Sequence, residues 1–224
     1  MSELSKNGSE RRPRTVDGLH ADLLGSIPVL APDDAILDAG CGNGAWLMAL
    51  RGRGFRNLAG FDLDPSACDS GIGSIMKWNL DDGVPELRGR FKLISAIEVI
   101  EHLERPAILL EMASRYLDRD GRMLVTTPNT ASLIFRLRYL LTGKLHHFDY
   151  PSDSGHVSPL FTAPFTRLVD RHGLVIESKW TFPRVGYKGH IRGSLAALAS
   201  LSRLFLADPL SGEILCMLIK RSGE

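Results

Sequence analysis

An α/β fold built on a doubly wound, mostly parallel sheet is what this sequence predicts, and three observations lead there. Apolar runs with strand character alternate with helical patterns along most of the 224 residues. The first run, Ala35-Ile36-Leu37, ends in Asp38 and passes directly into the glycine-rich turn Gly40-Cys41-Gly42-Asn43-Gly44. A second run, Leu58-Ala59-Gly60-Phe61, closes on the carboxylates Asp62 and Asp64. Ligands of open α/β sheets gather at the carboxyl ends of the strands, so acids and glycine turns at those ends mark a binding edge.

Taken in order, strands are expected near residues 35–38, 58–62, 91–97, 121–127, 174–180 and 213–220, with a short further one over 73–78. Ile36 and Leu37 belong in a buried strand, and Trp46, Leu47 and Leu50 have the spacing of a helix that follows the glycine turn. Gly40, Gly42 and Ala45 also satisfy the looser dinucleotide fingerprint G-x-G-x-x-G/A, so spacing alone leaves two kinds of cofactor open. Asp64 before Pro65 reads as a turn or cap residue. The stretch 130–159 is longer than a plain crossover needs and reads as an acceptor-site insertion. Its stripe of Leu133, Ile134, Leu137, Leu140 and Leu141 is expected to pack on the core as a helix, and the loop from Lys144 to Tyr150, with His146, His147 and Phe148, reads as a lid or substrate clamp. Thr162 to His172 is the helix before the sixth strand, closed by Gly173.

Composition bounds the rest. An apolar content of 44% lets residues 16–224 bury one core without disulfides or metals, and a net charge of +1 argues against a broad nucleic-acid surface: no DNA partner is expected, and RNA is disfavoured. Cys41, Cys68 and Cys216 are few and scattered, which suits a reducing compartment and a cytoplasmic location. Residues 1–15 are polar and read as a flexible arm, with no apolar core for a secretory signal. The longest apolar run, Leu195 to Ala207, is interrupted by Arg203, so no transmembrane segment is expected. Arg184, Tyr187, Lys188, His190 and Arg192 suggest a site for an anionic acceptor, followed by a stripe of Leu195, Leu198, Leu201, Leu204 and Phe205.

The run from Ile36 to Gly44 resembles the first motif of class I S-adenosylmethionine-dependent methyltransferases: apolar residues, an acid, a small residue, then Gly-x-Gly-x-Gly. The resemblance implies a Rossmann-like seven-stranded methyltransferase sheet whose last strand, Ile214 to Lys220, inserts antiparallel. It implies S-adenosyl-L-methionine as cofactor, with Asp38, Gly40, Cys41, Gly42 and Gly44 around its methionine part and Asp62 at the ribose hydroxyls. Leu63 would pack on adenine, and Asn79 and Leu80 would stand where relatives often carry an acid before a leucine. Glu98 completes the implied cofactor set. A carboxylate at the turn suits a zwitterionic amino acid and a sulfonium, whereas it would repel a pyrophosphate.

Past the fourth strand comes Glu98-Val99-Ile100-Glu101-His102. If it is helical, the i, i+3, i+4 spacing sets Glu98, Glu101 and His102 on one face. The E-x-x-E-H pattern resembles that of small-RNA 2′-O-methyltransferases and ubiquinone-type O-methyltransferases. The resemblance implies a divalent metal on Glu98, Glu101, His102 and a later histidine, for which His156 stands in Gly155-His156-Val157-Ser158-Pro159. The other reading makes His102 or His156 a catalytic base without metal. The function expected is methyl transfer to an oxygen of a small-molecule or glycan acceptor. The alternatives are RNA 2′-O-methylation, a cofactor-binding protein without turnover, and an NAD-dependent oxidoreductase.

Overall fold

The structure, a computed structural model, describes residues 15–68, 71–149, 155–184 and 210–223. Its strands are β1 Ile36–Ala39, β2 Leu58–Asp62, β3 Ser74–Lys77, β4 Phe91–Ile97, β5 Leu117–Pro128, β6 Leu174–Phe182 and β7 Ile214–Arg221. They form one seven-stranded sheet in the order β3-β2-β1-β4-β5-β7-β6. The first five pair in parallel, and β7 runs antiparallel to both β5 and β6. This is the seven-stranded sheet with an inserted antiparallel last strand that the resemblance implies. The order reverses direction between β1 and β4, so the loops leaving these two strands open at the topological switch point.

The helices are α1 Leu19–Leu24, α2 Ala45–Gly52, α3 Ala107–Tyr116, α4 Leu133–Thr142 and α5 Thr162–Arg171. Side chains of a strand alternate between faces, and here both faces are covered. Leu37, Ile94, Val125 and Met217 meet Ile108, Leu109, Met112 and Phe165 of α3 and α5 in one apolar layer. Ile36, Leu93, Leu124 and Cys216 meet Leu19, Leu23, Trp46, Leu47 and Leu50 of α1 and α2 in the other. Each fully buried Leu or Ile contributes about 1.5–3 kcal/mol relative to exposure. The helical spacing of Trp46, Leu47 and Leu50 thus reflects a buried face, as expected.

Two elements depart from the sequence reading. β5 begins at Leu117 rather than near 121, pairing with Phe91 before a register shift ahead of Leu93. Gly121 therefore sits inside the strand, where a Cβ would lie 2.7 Å from the Phe91 carbonyl oxygen; the glycine marks a close backbone approach and not a strand start. In α4 only Ile134 and Phe135 are buried, whereas Leu140 and Leu141 are 79% and 68% exposed. The helix is anchored at its first turn, by Ser132 Oγ accepting from the Phe135 N–H at 3.2 Å and by the Leu133 N–H donating to Leu210 O at 2.9 Å. The expected stripe consequently meets the core only near that anchored end.

Arg184 stacks on Trp180 with its guanidinium carbon 5.5 Å from the ring centroid and lies 3.6 Å from Asp22, so it is engaged within the fold. Tyr187, Lys188, His190, Arg192, the stripe from Leu195 to Phe205 and the arm through Arg14 lie outside the described residues. Among the described residues no helix is long and apolar enough to cross a membrane. Edge strand β3 tests the packing: a Cβ on Gly73 would come 2.1 Å from the Leu58 carbonyl oxygen. Gly73→Ala is expected to lower stability by about 1–3 kcal/mol, as overpacking does, measured by chemical denaturation.

Candidate active site

The chain turns sharply after β1, and Gly40, Gly42 and Gly44 all have left-handed φ values, of 76°, 51° and 78°. Their surroundings differ. A Cβ at Gly40 would lie 2.5 Å from Val99 Cγ2, and one at Gly44 would lie 2.6 Å from Cys68 Sγ, so these two glycines permit close packing. A Cβ at Gly42 would meet nothing within 4 Å; its backbone faces open space. The loop is tied to β2: the Gly40 and Cys41 N–H groups donate to Phe61 O at 2.8 and 2.9 Å, and the Gly42 N–H donates to Asp62 Oδ2 at 2.8 Å. Asp62 Oδ1 accepts from the Asp64 N–H at 2.9 Å. Asp64 in turn caps the 3-10 turn Pro65–Ala67, the cap role read from the sequence.

Above this loop lies a cleft of about 580 Å³, within the range of small-molecule sites. Asp38, Gly40, Cys41, Gly42, Asp62, Leu63, Asn79, Leu80 and Glu98 all line it, together with His102 and His156. Gly44 does not line the cleft; it is the N-cap residue of α2. Asp38 is 3% exposed and its Oδ1 accepts from Ser95 Oγ at 2.7 Å; burial, with Asp62 close by, pushes its carboxyl up to about 7. Asn79 Oδ1 accepts from the Asp81 N–H at 3.1 Å, so this side chain caps the turn Leu80–Asp82 at the cleft wall. The residues present fit the cofactor that the motif implies, on two counts. The glycine facing the cleft leaves room for a ligand at the backbone, and the acids suit a molecule carrying cationic groups.

The Glu98–His102 segment does not open an α-helix. Glu98 takes a left-handed φ of 54°, a single 3-10 turn covers Ile100–His102, and α3 starts only at Ala107, after Pro106. A non-glycine residue at positive φ ends helical continuity, and the residue before proline disfavours the helical region. The one-face arrangement is therefore lost, and Glu98 leaves the expected metal set. Its N–H donates to Thr126 Oγ1 at 3.0 Å and its Oε1 accepts from the same hydroxyl at 3.1 Å. Burial, and Glu213 nearby, push the Glu98 carboxyl up to about 7.

Glu101, His102 and His156 do come together, with ligand atoms all within 4.8 Å of one another. The Val157 and Ser158 N–H groups both donate to Glu101 O at 2.9 Å, and Ser158 Oγ donates to Leu103 O at 2.7 Å; these bonds bring His156 beside His102. The two rings stand edge to face, 4.6 Å between centroids. His102 Nδ1 lies 2.8 Å from Gly155 O, and His156 Nδ1 lies 2.8 Å from His147 O. A carbonyl only accepts, so Nδ1 carries the proton in each neutral ring and Nε2 is the basic atom. His146 and His147 stand outside this group: His147 supplies a carbonyl, and His146 lies 3.1 Å from Arg138 Nη1, its imidazole lowered to about 4 by burial and then by Arg138. Arg138 also pairs with Asp149, so part of the expected clamp is an internal ion pair.

Three cleft-side residues escaped the sequence reading in their roles. Trp46 donates from Nε1 to Ser95 Oγ at 3.0 Å, and His20 of α1 lines the cleft with its ring 5.4 Å from Trp46. Burial lowers the His20 imidazole to about 4. Ser95 carried a legible signal, a single hydroxyl in the apolar run Phe91–Ile97, because a buried polar group needs a partner. His20 carried none, since no spacing links it to the motif.

Residues 9–179 match a family model described as "Methyltransferase domain". A ubiquinone biosynthesis O-methyltransferase of Xylella fastidiosa (strain 9a5c) is 29% identical over 111 residues, covering 46% of this chain and 45% of that protein; the match thus spans about half the length of that relative. Among solved structures, a SAM-dependent methyltransferase from Archaeoglobus fulgidus is similar with a TM-score of 0.64 at 17% identity, over 90% of this chain and 92% of the other. The magnesium protoporphyrin IX methyltransferase of Synechocystis, solved with bound SAH, is similar with a TM-score of 0.56 at 16% identity, over 92% and 81% of the two chains. Both share the fold.

The raised carboxyls predict how the ligand-free protein responds to pH. Burial holds the Asp38 and Glu98 carboxyls at about 7 in the folded protein, well above the ordinary carboxylate range of the unfolded chain, so the native state binds more protons in that window and stability rises as pH falls from about 8 to 6.5. Below about 6.5 the unfolded state protonates His20 and His146, whose folded values are about 4, and this opposes further gain. Thermal stability against pH should rise as pH falls from about 8 and level off below about 6.5, and Asp38→Asn with Glu98→Gln should remove the rise on the alkaline side.

Proposed function

The chain belongs to the methyltransferase-domain family, and from that premise we propose that it is an S-adenosylmethionine-dependent methyltransferase that methylates a hydroxyl oxygen of a small molecule or glycan. The observation that carries this reading is the Glu101–His102–His156 group, whose two histidines line the same cleft as the glycine loop. The cofactor supplies an activated methyl group on its sulfonium, and what remains for the protein is to hold, orient and deprotonate. Asp38 holds the ammonium group, Gly42 admits the amino-acid part, and Asp62 uses its remaining lone pairs for the ribose hydroxyls. Leu63, 62% exposed at the cleft, offers apolar surface to adenine, with Asn79 and Leu80 beside it.

At the acceptor side, the His102 and His156 Nε2 atoms are the basic groups for the acceptor hydroxyl. One carboxylate and two imidazoles are also a donor set suited to a divalent ion such as Zn²⁺ or Mn²⁺, which would stabilise a developing alkoxide. The likeness to an O-methyltransferase supports oxygen as the acceptor atom. On this reading residues 16–224 are one catalytic domain and 130–159 shape the acceptor pocket, since that stretch delivers His156. The near-neutral net charge weighs against RNA as acceptor, and the few, scattered cysteines Cys41, Cys68 and Cys216 suit a cytoplasmic setting.

A methyl-transfer screen over hydroxylated metabolites and glycans, with RNA as a separate arm, tests the acceptor class; activity on RNA alone would overturn it. With an acceptor in hand, chelator is expected to suppress turnover and leave S-adenosylhomocysteine binding intact, and His102→Ala should imitate it. Full turnover in excess chelator would leave the histidines as metal-free bases. For the cofactor residues, Gly42→Val is expected to abolish S-adenosylhomocysteine binding in calorimetry while the protein stays folded. Asp62→Asn should weaken binding by about 1–3 kcal/mol, the scale for a hydrogen bond to a charged acceptor.

A further inference from the structure

Ser95 lies in β4 directly across from Asp38 in the parallel register with β1, at 0% exposure. Its Oγ is 2.7 Å from Asp38 Oδ1, 3.0 Å from Trp46 Nε1 and 3.3 Å from Leu37 O. An indole N–H only donates, so Trp46 occupies a lone pair of the serine oxygen, and the serine hydrogen goes to one of the two remaining acceptors. The carboxylate is the nearer and the charged one, and charge-assisted hydrogen bonds are the stronger. Trp46 is itself 3% exposed and packed in the layer with Leu47 and Leu50, which fixes the serine oxygen from the far side.

We propose that Ser95, held by Trp46, is a positioning residue for cofactor binding: it keeps the Asp38 carboxylate ionised and turned so that Oδ2 meets the ammonium group of the cofactor. This rests on the assignment of Asp38 to that ammonium. The groups around Asp38 make the serine necessary. Asp62 faces it from β2 and adds negative charge, Cys41 follows in the loop with a thiol that burial keeps protonated, and His20 stands beyond Trp46 as a neutral ring. No cation among these groups offsets the burial of Asp38; the Ser95 hydroxyl is the interaction that favours its charged form, which burial alone would discharge.

The test is calorimetric titration with S-adenosylhomocysteine, which needs no acceptor, between about pH 6 and 8.5. The wild-type affinity should fall on acidification through about 7, where Asp38 takes a proton. Ser95→Ala should move that fall upward by about one pH unit and weaken binding about tenfold at pH 7, with most of the affinity recovered at the alkaline end. Ser95→Thr, which keeps the hydroxyl, should retain the wild-type midpoint. Ser95→Cys, nearly isosteric with a weak S–H donor, should shift it in the same direction as alanine and serves if the alanine variant does not fold. A wild-type midpoint in the variants lacking the hydroxyl, with Asp38→Asn binding weakly, overturns the role of Ser95 alone. Wild-type affinity in Asp38→Asn at pH 8 overturns the Asp38 assignment beneath it.

Discussion

The hydrogen bonds that tie the glycine loop to the end of β2 are the interaction on which the binding edge depends. Three successive N–H groups, of Gly40, Cys41 and Gly42, are taken up by Phe61 O and Asp62 Oδ2. Only a chain without Cβ at Gly40 can approach Val99 closely enough for this turn, and the left-handed φ values along the loop keep its path tight. Asp62 therefore does two things at once. It is a strut for the loop, and it stands at the carboxyl end of β2 where a ribose would be met.

The sheet makes the cleft electronegative and half-buried. Asp38, at the end of β1, lies between parallel neighbours on both sides, so its carboxyl is removed from water and depends on Ser95 for its charge. Glu98, at the end of β4, is turned back against Thr126 of β5 by its left-handed backbone, with Glu213 behind it. A non-glycine residue held in that region costs roughly 1–3 kcal/mol, and such strain collects where a site requires it. Buried carboxyls that repel one another favour a ligand carrying positive charge, because such a ligand offsets both the desolvation and the repulsion.

The histidine side of the cleft is assembled over a longer range. The bond from His102 to Gly155 spans 53 residues of chain, and the pair of N–H groups from Val157 and Ser158 to one carbonyl, that of Glu101, sets the register between the two segments. Backbone hydrogen bonds thus decide which histidine faces which, and they set the tautomer of both rings. α4 is held at its first turn and leaves Tyr139, Leu140 and Leu141 exposed at its far end.

By itself, the sequence determined the alternation of strand and helix, the strand-turn-helix around Gly40 to Gly44 and the acid closing β2. Each of these is enforced locally, by the pleat period, by positive φ at glycine or by helical spacing, and so is written in neighbouring residues. Tertiary structure decided the rest. Glu98 stands apart from Glu101, His102 and His156 because one backbone angle and a hydroxyl on β5 redirect it, although its spacing to Glu101 and His102 is unchanged. His20 reaches the cleft from α1, and Ser95 acquires its role from a register with β1 and an indole on α2. The leucines of α4 stay exposed because only the helix start is pinned. Contacts between elements far apart in the chain depend on sheet order and strand register, and residue spacing within one segment carries no record of either.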